Sequence, residues 1–330
     1  MIGKGVVFTE KLKVAYQDVS IPAPQDDEMM IDIEHSWISN GTESSFLRGE
    51  RTDGETPFRN GDPLPFPLVA GYQKVGTITS LGKNVQGFTL GERVFATISK
   101  VNGMFDSTGG HVSPAVTHES QVWKLPTNAD PIAYSGLVLT QVGYNCGMCP
   151  PVNKGDYAVV IGDGMVGQWA AQTLMHRGAH VIVLGRHNDR LDLLPEDIHK
   201  VNTKSSSIKE ALQDVITGTF SIIVDTVGSL ATVTELISLA QYGCHLVSAG
   251  FLGEDGRIDI QMLRTKKVTL HCPSGWSQEA MDETLQGITE GWLQTTSLIT
   301  HRFPVEQAKE AWDLILDSKQ AKLGVILDWT

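Results

Sequence analysis

Residues Asp156–His187, DYAVVIGDGMVGQWAAQTLMHRGAHVIVLGRH, constrain the fold more than any other stretch of the chain. The apolar run Tyr157–Ile161 has the length of a strand buried on both faces. Gly162, Gly164 and Gly167 follow in G-x-G-x-x-G spacing. Val166, Ala170, Ala171 and Leu174 then share one helical face up to a stop near Gly178, and Val181–Leu184 reads as a second strand. Strand, tight turn, helix and strand are the context in which this glycine spacing binds a dinucleotide. Gly162 permits the turn, Gly164 leaves room for a pyrophosphate, and Gly167 lets helix and strand approach. The turn residues Gly162, Asp163, Gly164, Met165, Val166 and Gly167 are therefore the expected cradle, at the positive end of the helix.

The second strand ends in Gly185-Arg186-His187, with Arg190 one turn on. An acidic residue usually stands there when the ribose 2′-hydroxyl of NAD is held. It is absent, and a glycine beside guanidinium groups suits a 2′-phosphate. The expectation is NADP, with NAD the alternative. Ligands of open parallel sheets lie beyond the carboxyl ends of the strands. Thr226 and Val227, after a strand at Ser221–Asp225, and Gly250 and Phe251, after one at His245–Ala249, should thus line the nicotinamide half. Thr140 is a further candidate.

At 330 residues the chain exceeds one ordinary domain. A net charge of -12 disfavours general affinity for nucleic acid or an anionic membrane. No segment approaches the length of a bilayer span, and the N-terminus lacks a signal-peptide core. The 4 cysteines suggest reduced thiols and a cytoplasmic setting. Residues 1–125 read as short strands separated by Pro, Gly and Asp turns, at 6–8, 30–33, 75–78 and 93–96. Gly49–Pro67 reads as a long polar loop, a lid or a mobile segment. Residues near 130–150 read as helical. Past the fingerprint, helices are expected at Leu230–Gln241, 277–293 and 304–319, and strands at Val268–His271 and Gly324–Trp329. The fold class is α/β: a β-rich part followed by a doubly wound parallel sheet, with a cleft between.

Several stretches resemble the medium-chain dehydrogenase/reductases, the superfamily of zinc alcohol and sorbitol dehydrogenases and zinc-free quinone reductases. They are Asn40-Gly41-Thr42-Glu43, Pro67–Gln73, Gly91-Glu92-Arg93-Val94, Gly109-Gly110-His111, the fingerprint, and Leu298–Phe303. The resemblance implies a GroES-like catalytic domain over 1–135, a Rossmann domain over 136–296, and a segment 297–330 returning to the first. It also implies a homodimer acting on a small-molecule substrate. Zinc members have Cys at the position of Asn40 and His-Glu at Tyr72-Gln73. Amide and phenol are poor ligands for zinc. The closely spaced cysteines of a structural zinc lobe are also missing, so no zinc is expected.

In a zinc-free site the resemblance places Tyr72 at the reaction centre, able to donate a hydrogen bond or, with a lowered pKa, to relay a proton. Asn40 would offer an amide from the neighbouring loop, and Ser39, Thr42 and Gln73 would complete a relay to solvent. A tyrosine here also suits a packed core position, and Asn40-Gly41 also suits a turn. Glu43 and His111 read as structural, and His301-Arg302 as stabilising the domain junction. The S-x-G-T-E motif is similar to the bacteriochlorophyllide dehydrogenase branch, in the N-terminal half only. The implied activity is interconversion of a polar secondary alcohol of sugar, polyol or cyclitol type and its ketone. Alternatives are an enone or quinone reductase, a hydroxyethyl-tetrapyrrole dehydrogenase, or a non-catalytic NADP(H)-binding protein.

Overall fold

The computed structural model describes residues 1–329. The chain divides into two compact units: Met1–Val138 with the segment from Thr295 onward, and Leu139–Gln294.

The second unit carries a parallel six-stranded sheet. Its strands in chain order are Tyr157–Ile161, His180–Gly185, His199–Asn202, Ile222–Asp225, His245–Ser248 and Thr269–His271. In space they run third, second, first, fourth, fifth, sixth. This is the doubly wound dinucleotide-binding order, in which the order of strand addition reverses beside the first strand. The apolar run of that strand is explained by packing on both faces. Ala158 and Val160 join one cluster with Leu174, Val183 and Val224; Val159 and Ile161 join another with Ile182, Ile223 and Leu236. Each buried Val, Leu or Ile among these contributes about 1.5–3 kcal/mol, so the strand ends, and the turns leaving them, are rigidly placed.

In the first unit, strand Glu28–Trp37 pairs with Lys74–Leu81, Ala115–His118 and Gly324–Asp328. Gly324–Asp328 also runs parallel to Ile299–Pro304, which ties the C-terminal segment to the N-terminal sheet. Arg302 grips Asp328 through Nε at 3.1 Å and Nη2 at 2.9 Å. It therefore clamps this strand pair within the unit.

Two local expectations change. Ser39 immediately precedes a helix, Asn40–Leu47, where a loop was expected, and its side chain makes no capping bond. Gly49–Pro67 is not structureless: Arg51–Asp53 and Thr56–Pro57 pair as a short hairpin. Buried Arg51 anchors it, donating to Ser45 Oγ at 2.5 Å, the Gly54 carbonyl at 2.9 Å and Glu55 at 3.1 Å.

Lys74, beside the tyrosine of interest, is fully buried, and its ammonium is held by the Thr97 carbonyl. Burial lowers its pKa to about 7. The folded value lies below the unfolded one, so the folded state disfavours the proton. The cost is complete below pH 7 and fades as pH rises toward the ordinary lysine range. Lys74→Met is expected to flatten the rise of stability between about pH 7 and 10. Denaturant unfolding of both proteins across that window checks it; an unchanged slope would contradict it.

Candidate active site

Two clusters concentrate the predicted functional residues, one in each unit. In the second unit the glycine turn leaves the first strand at Gly162, whose φ of 120° a side chain would strain. A Cβ on Gly167 would lie 2.1 Å from the Gly162 carbonyl oxygen, so only glycine permits this approach of helix to turn. A Cβ on Gly164 would meet nothing within 4 Å. That space is open to a ligand rather than required by packing. The helix Met165–His176 starts directly after it, with its first N–H groups available to an anion.

The other strand ends deliver their loops to the same end of the sheet. Thr226 Oγ1 donates to the Ile161 carbonyl at 2.8 Å, tying the fourth strand to the first. Val227 is 56% exposed, an apolar side chain at the lip of the turn. The sequence reading missed Asp225, which is buried and accepts from the backbone N–H groups of Val227, Gly228 and Ser229 at 2.9–3.0 Å. Gly250 packs against this loop, its Cβ position 1.9 Å from Gly228 N, and Phe251 follows it. Thr140 is buried in helix Leu137–Met148.

Beyond the second strand the structure alters one premise. The space beside Gly185 is already filled: a Cβ there would lie 2.7 Å from the Cβ and Oδ2 of Asp163. Gly185 therefore makes room for Asp163 and not for a phosphate. Asp163 Oδ2 accepts from the backbone N–H of Arg186 at 2.6 Å and of His187 at 2.8 Å. The His187 ring nitrogen lies 3.0 Å from the same oxygen, and Arg190 Nη1 lies 3.5 Å from Oδ1. Arg186 is exposed. Arg190 Nε is buried with no partner among the described residues.

In the first unit Tyr72 stands over the start of helix Asn40–Leu47. Its hydroxyl hydrogen-bonds with the side chains of Ser39 and Thr42, and the Glu43 and Arg51 charges act on it. Burial outweighs those hydroxyls and pushes the phenol up to about 12. The lowered pKa considered from sequence is thus overturned: this is a neutral donor, with a water-poor surrounding as the cause.

Beneath it lies a closed polar chain. Glu43 is 2% exposed; its Oε1 accepts from Ser39 N at 2.7 Å and its Oε2 meets His111 Nε2 at 3.0 Å. His111 Nδ1 lies 2.8 Å from Ser36 Oγ, which accepts from Trp329 Nε1 at 2.8 Å. One directional arrangement satisfies every group: indole to Ser36, Ser36 hydroxyl to Nδ1, and Nε2–H to Glu43. Glu43 and His111 are both buried and paired within this chain of bonds.

Asn40 donates one of its two amide N–H groups to the Leu323 carbonyl at 2.6 Å, and its Oδ1 is buried without a partner among the described residues. Gln73 is fully buried and donates to the Trp37 carbonyl at 3.1 Å, so it cannot complete a relay to solvent. Both hold distant backbone in register.

The donor set does not fit zinc. The positions that the resemblance equates with its ligands hold Asn40, Tyr72 and Gln73, an amide, a phenol and a second amide, and no group of 3 or more His, Cys, Asp or Glu among the described residues could hold a metal. Cys146 is buried, which pushes its thiol up to about 12, far from the thiolate a metal needs. No helix among the described residues is long and apolar enough to cross a membrane.

Comparison with known proteins agrees with this architecture. Residues 25–127 match the family described as alcohol dehydrogenase GroES-like domain, and residues 166–290 the family described as zinc-binding dehydrogenase. An L-threonine 3-dehydrogenase of Yersinia pestis is 23% identical over 344 residues, covering 94% of this chain and 95% of that protein. An Escherichia coli alcohol dehydrogenase complexed with cofactor NADH superposes with a TM-score of 0.85 at 20% identity, over 99% of both chains. An Escherichia coli L-idonate 5-dehydrogenase does so with a TM-score of 0.85 at 15% identity, over 100% of this chain and 99% of that one. A GroES-like β-rich domain joined to a Rossmann sheet, each matching its half of one dehydrogenase architecture, makes the chain a member of the medium-chain dehydrogenase/reductase superfamily.

Proposed function

We propose that the chain is a zinc-independent, NADP(H)-preferring dehydrogenase that interconverts a polar secondary alcohol, of sugar, polyol or cyclitol type, and its ketone. The observation that carries this reading is a neutral Tyr72 phenol, set among Ser39 and Thr42, at the position where zinc relatives have a ligand. Relatives named for L-threonine and L-idonate support the substrate class.

The residues around Gly162–Gly167, with Thr226, Val227, Gly250 and Phe251, would hold the nicotinamide dinucleotide, and Arg186 and Arg190 its 2′-phosphate. When bound, the coenzyme supplies or accepts hydride at the carbinol carbon. Tyr72 donates its proton to the developing alkoxide during reduction and thereby stabilises negative charge that a metal would otherwise meet. Ser39 and Thr42 orient the phenol and pass it a replacement proton. Glu43 fixes Ser39 through its N–H, and Arg51 adds positive potential near the phenol.

The open space at Gly164 gives a test that separates binding from folding. Gly164→Val is expected to leave thermal stability close to that of the parent, since φ is -76° and nothing stands within 4 Å. It should weaken NADPH binding by about a hundredfold or more, because the side chain would fill the pyrophosphate space. Unimpaired binding would remove the dinucleotide from this turn. For the reaction itself, NADPH oxidation should be screened against polyol-derived ketones and against enones. Turnover with the ketones is expected; activity with enones alone would replace this reading by double-bond reduction, and tight NADPH binding with no turnover by a non-catalytic role.

A further inference from the structure

Asp163 occupies the middle of the first Gly-x-Gly, a position from which the dinucleotide fold requires only backbone. Here it carries a carboxylate 8% exposed that reaches across to the neighbouring strand end. There it fills the space that Gly185 leaves vacant and binds the N–H groups of Arg186 and His187. A negative charge is thus present beside the second strand after all, delivered from a different segment of the chain. Its neighbours are the Arg190 guanidinium at 3.5 Å, the His187 ring nitrogen at 3.0 Å, and Arg186, whose side chain is exposed.

We propose that Asp163 is the coenzyme-selecting carboxylate of this chain, a specificity-determining residue that the glycine turn supplies in place of the usual acid at the strand end. The inference rests on the dinucleotide reading above but not on which coenzyme wins. Asp163 acts against a dianionic 2′-phosphate by charge, while Arg186 and Arg190 act for it; a 2′-hydroxyl feels much less of either. The balance of these groups sets the preference. The two bonds to backbone N–H hold the carboxylate in place.

Direct titration with NADPH and with NADH, followed by coenzyme fluorescence at fixed ionic strength, tests this on the parent protein and on Asp163→Asn. The amide keeps an acceptor for the Arg186 and His187 N–H groups and removes the charge. The ratio of Kd for NADH to Kd for NADPH is expected to rise about tenfold or more. A ratio that stays constant while both affinities fall would reduce Asp163 to a backbone clamp, and a falling ratio would make it a support for the arginines; either overturns the proposal. Asp163→Ser, whose hydroxyl also accepts from N–H, gives the same comparison should the Asn protein fold poorly. A parent that binds neither dinucleotide would overturn the coenzyme reading as well. A parent that binds NADH more tightly would remove only the NADP preference and leave the change in ratio to decide Asp163.

Discussion

Tyr72→Phe is expected to lower turnover of the best ketone substrate by about a hundredfold or more, the lower end of what a positioned proton donor contributes. NADPH affinity should be unchanged, because the coenzyme cradle belongs to other residues. The substitution removes one oxygen and leaves the ring, so packing is preserved. The alkoxide formed on hydride addition would then have no donor at that point. Because burial holds the phenol at about 12, it stays protonated throughout the usual assay range. Single-turnover measurement of hydride transfer, with NADPH affinity measured in parallel, distinguishes the outcomes. Full turnover in the Phe protein would take Tyr72 out of the chemistry and leave it a packed aromatic.

Glu43→Ala carries the largest expected cost to stability. It strips the partner from the His111 Nε2–H and from the Ser39 N–H, both buried. Removing one member of a buried polar pair typically costs about 3–5 kcal/mol, since the abandoned group is neither paired nor solvated. The chain of bonds from Trp329 through Ser36 and His111 would lose its terminal acceptor. Glu43→Gln retains an acceptor and should recover part of the loss. Chemical denaturation of the two variants checks the order; equal stability of parent and Ala protein would show that the pair contributes nothing. Any fall in turnover beyond the unfolded fraction would report the displaced Ser39.

What could be read from the sequence follows from the range of the interactions concerned. The dinucleotide turn was legible because its determinants are local: glycine spacing, an apolar strand and one helical face lie within Asp156–His187. The strands Ile222–Asp225 and His245–Ser248 were legible for the same reason. Strand His199–Asn202 and helix Ile208–Val215 are absent from that reading; the strand buries only Val201 and has little apolar signature, whereas Ile208, Ala211, Leu212 and Val215 stand at helical spacing and pack on the core, a signal the sequence did carry. Tyr72, Ser39 and Thr42 were named through motif position, and the structure brings their hydroxyls together. The partners of Asn40 and Gln73 are main-chain carbonyls 283 and 36 residues away, which no local pattern announces. Arg51 was hidden by a polar segment that reads as loop, since a hairpin held by one buried guanidinium has no apolar alternation. Asp163 was read as a turn residue because its side chain acts at Gly185, 22 positions along the chain and adjacent only after the sheet forms.

The central claim is that hydroxyl donors do here what zinc does in related dehydrogenases. Turnover of the parent protein after exhaustive chelation, with bound metal quantified on the same sample, tests it most directly. The account predicts ketone reduction at the full rate with zinc far below stoichiometric. Activity lost on chelation and restored by adding zinc would contradict it.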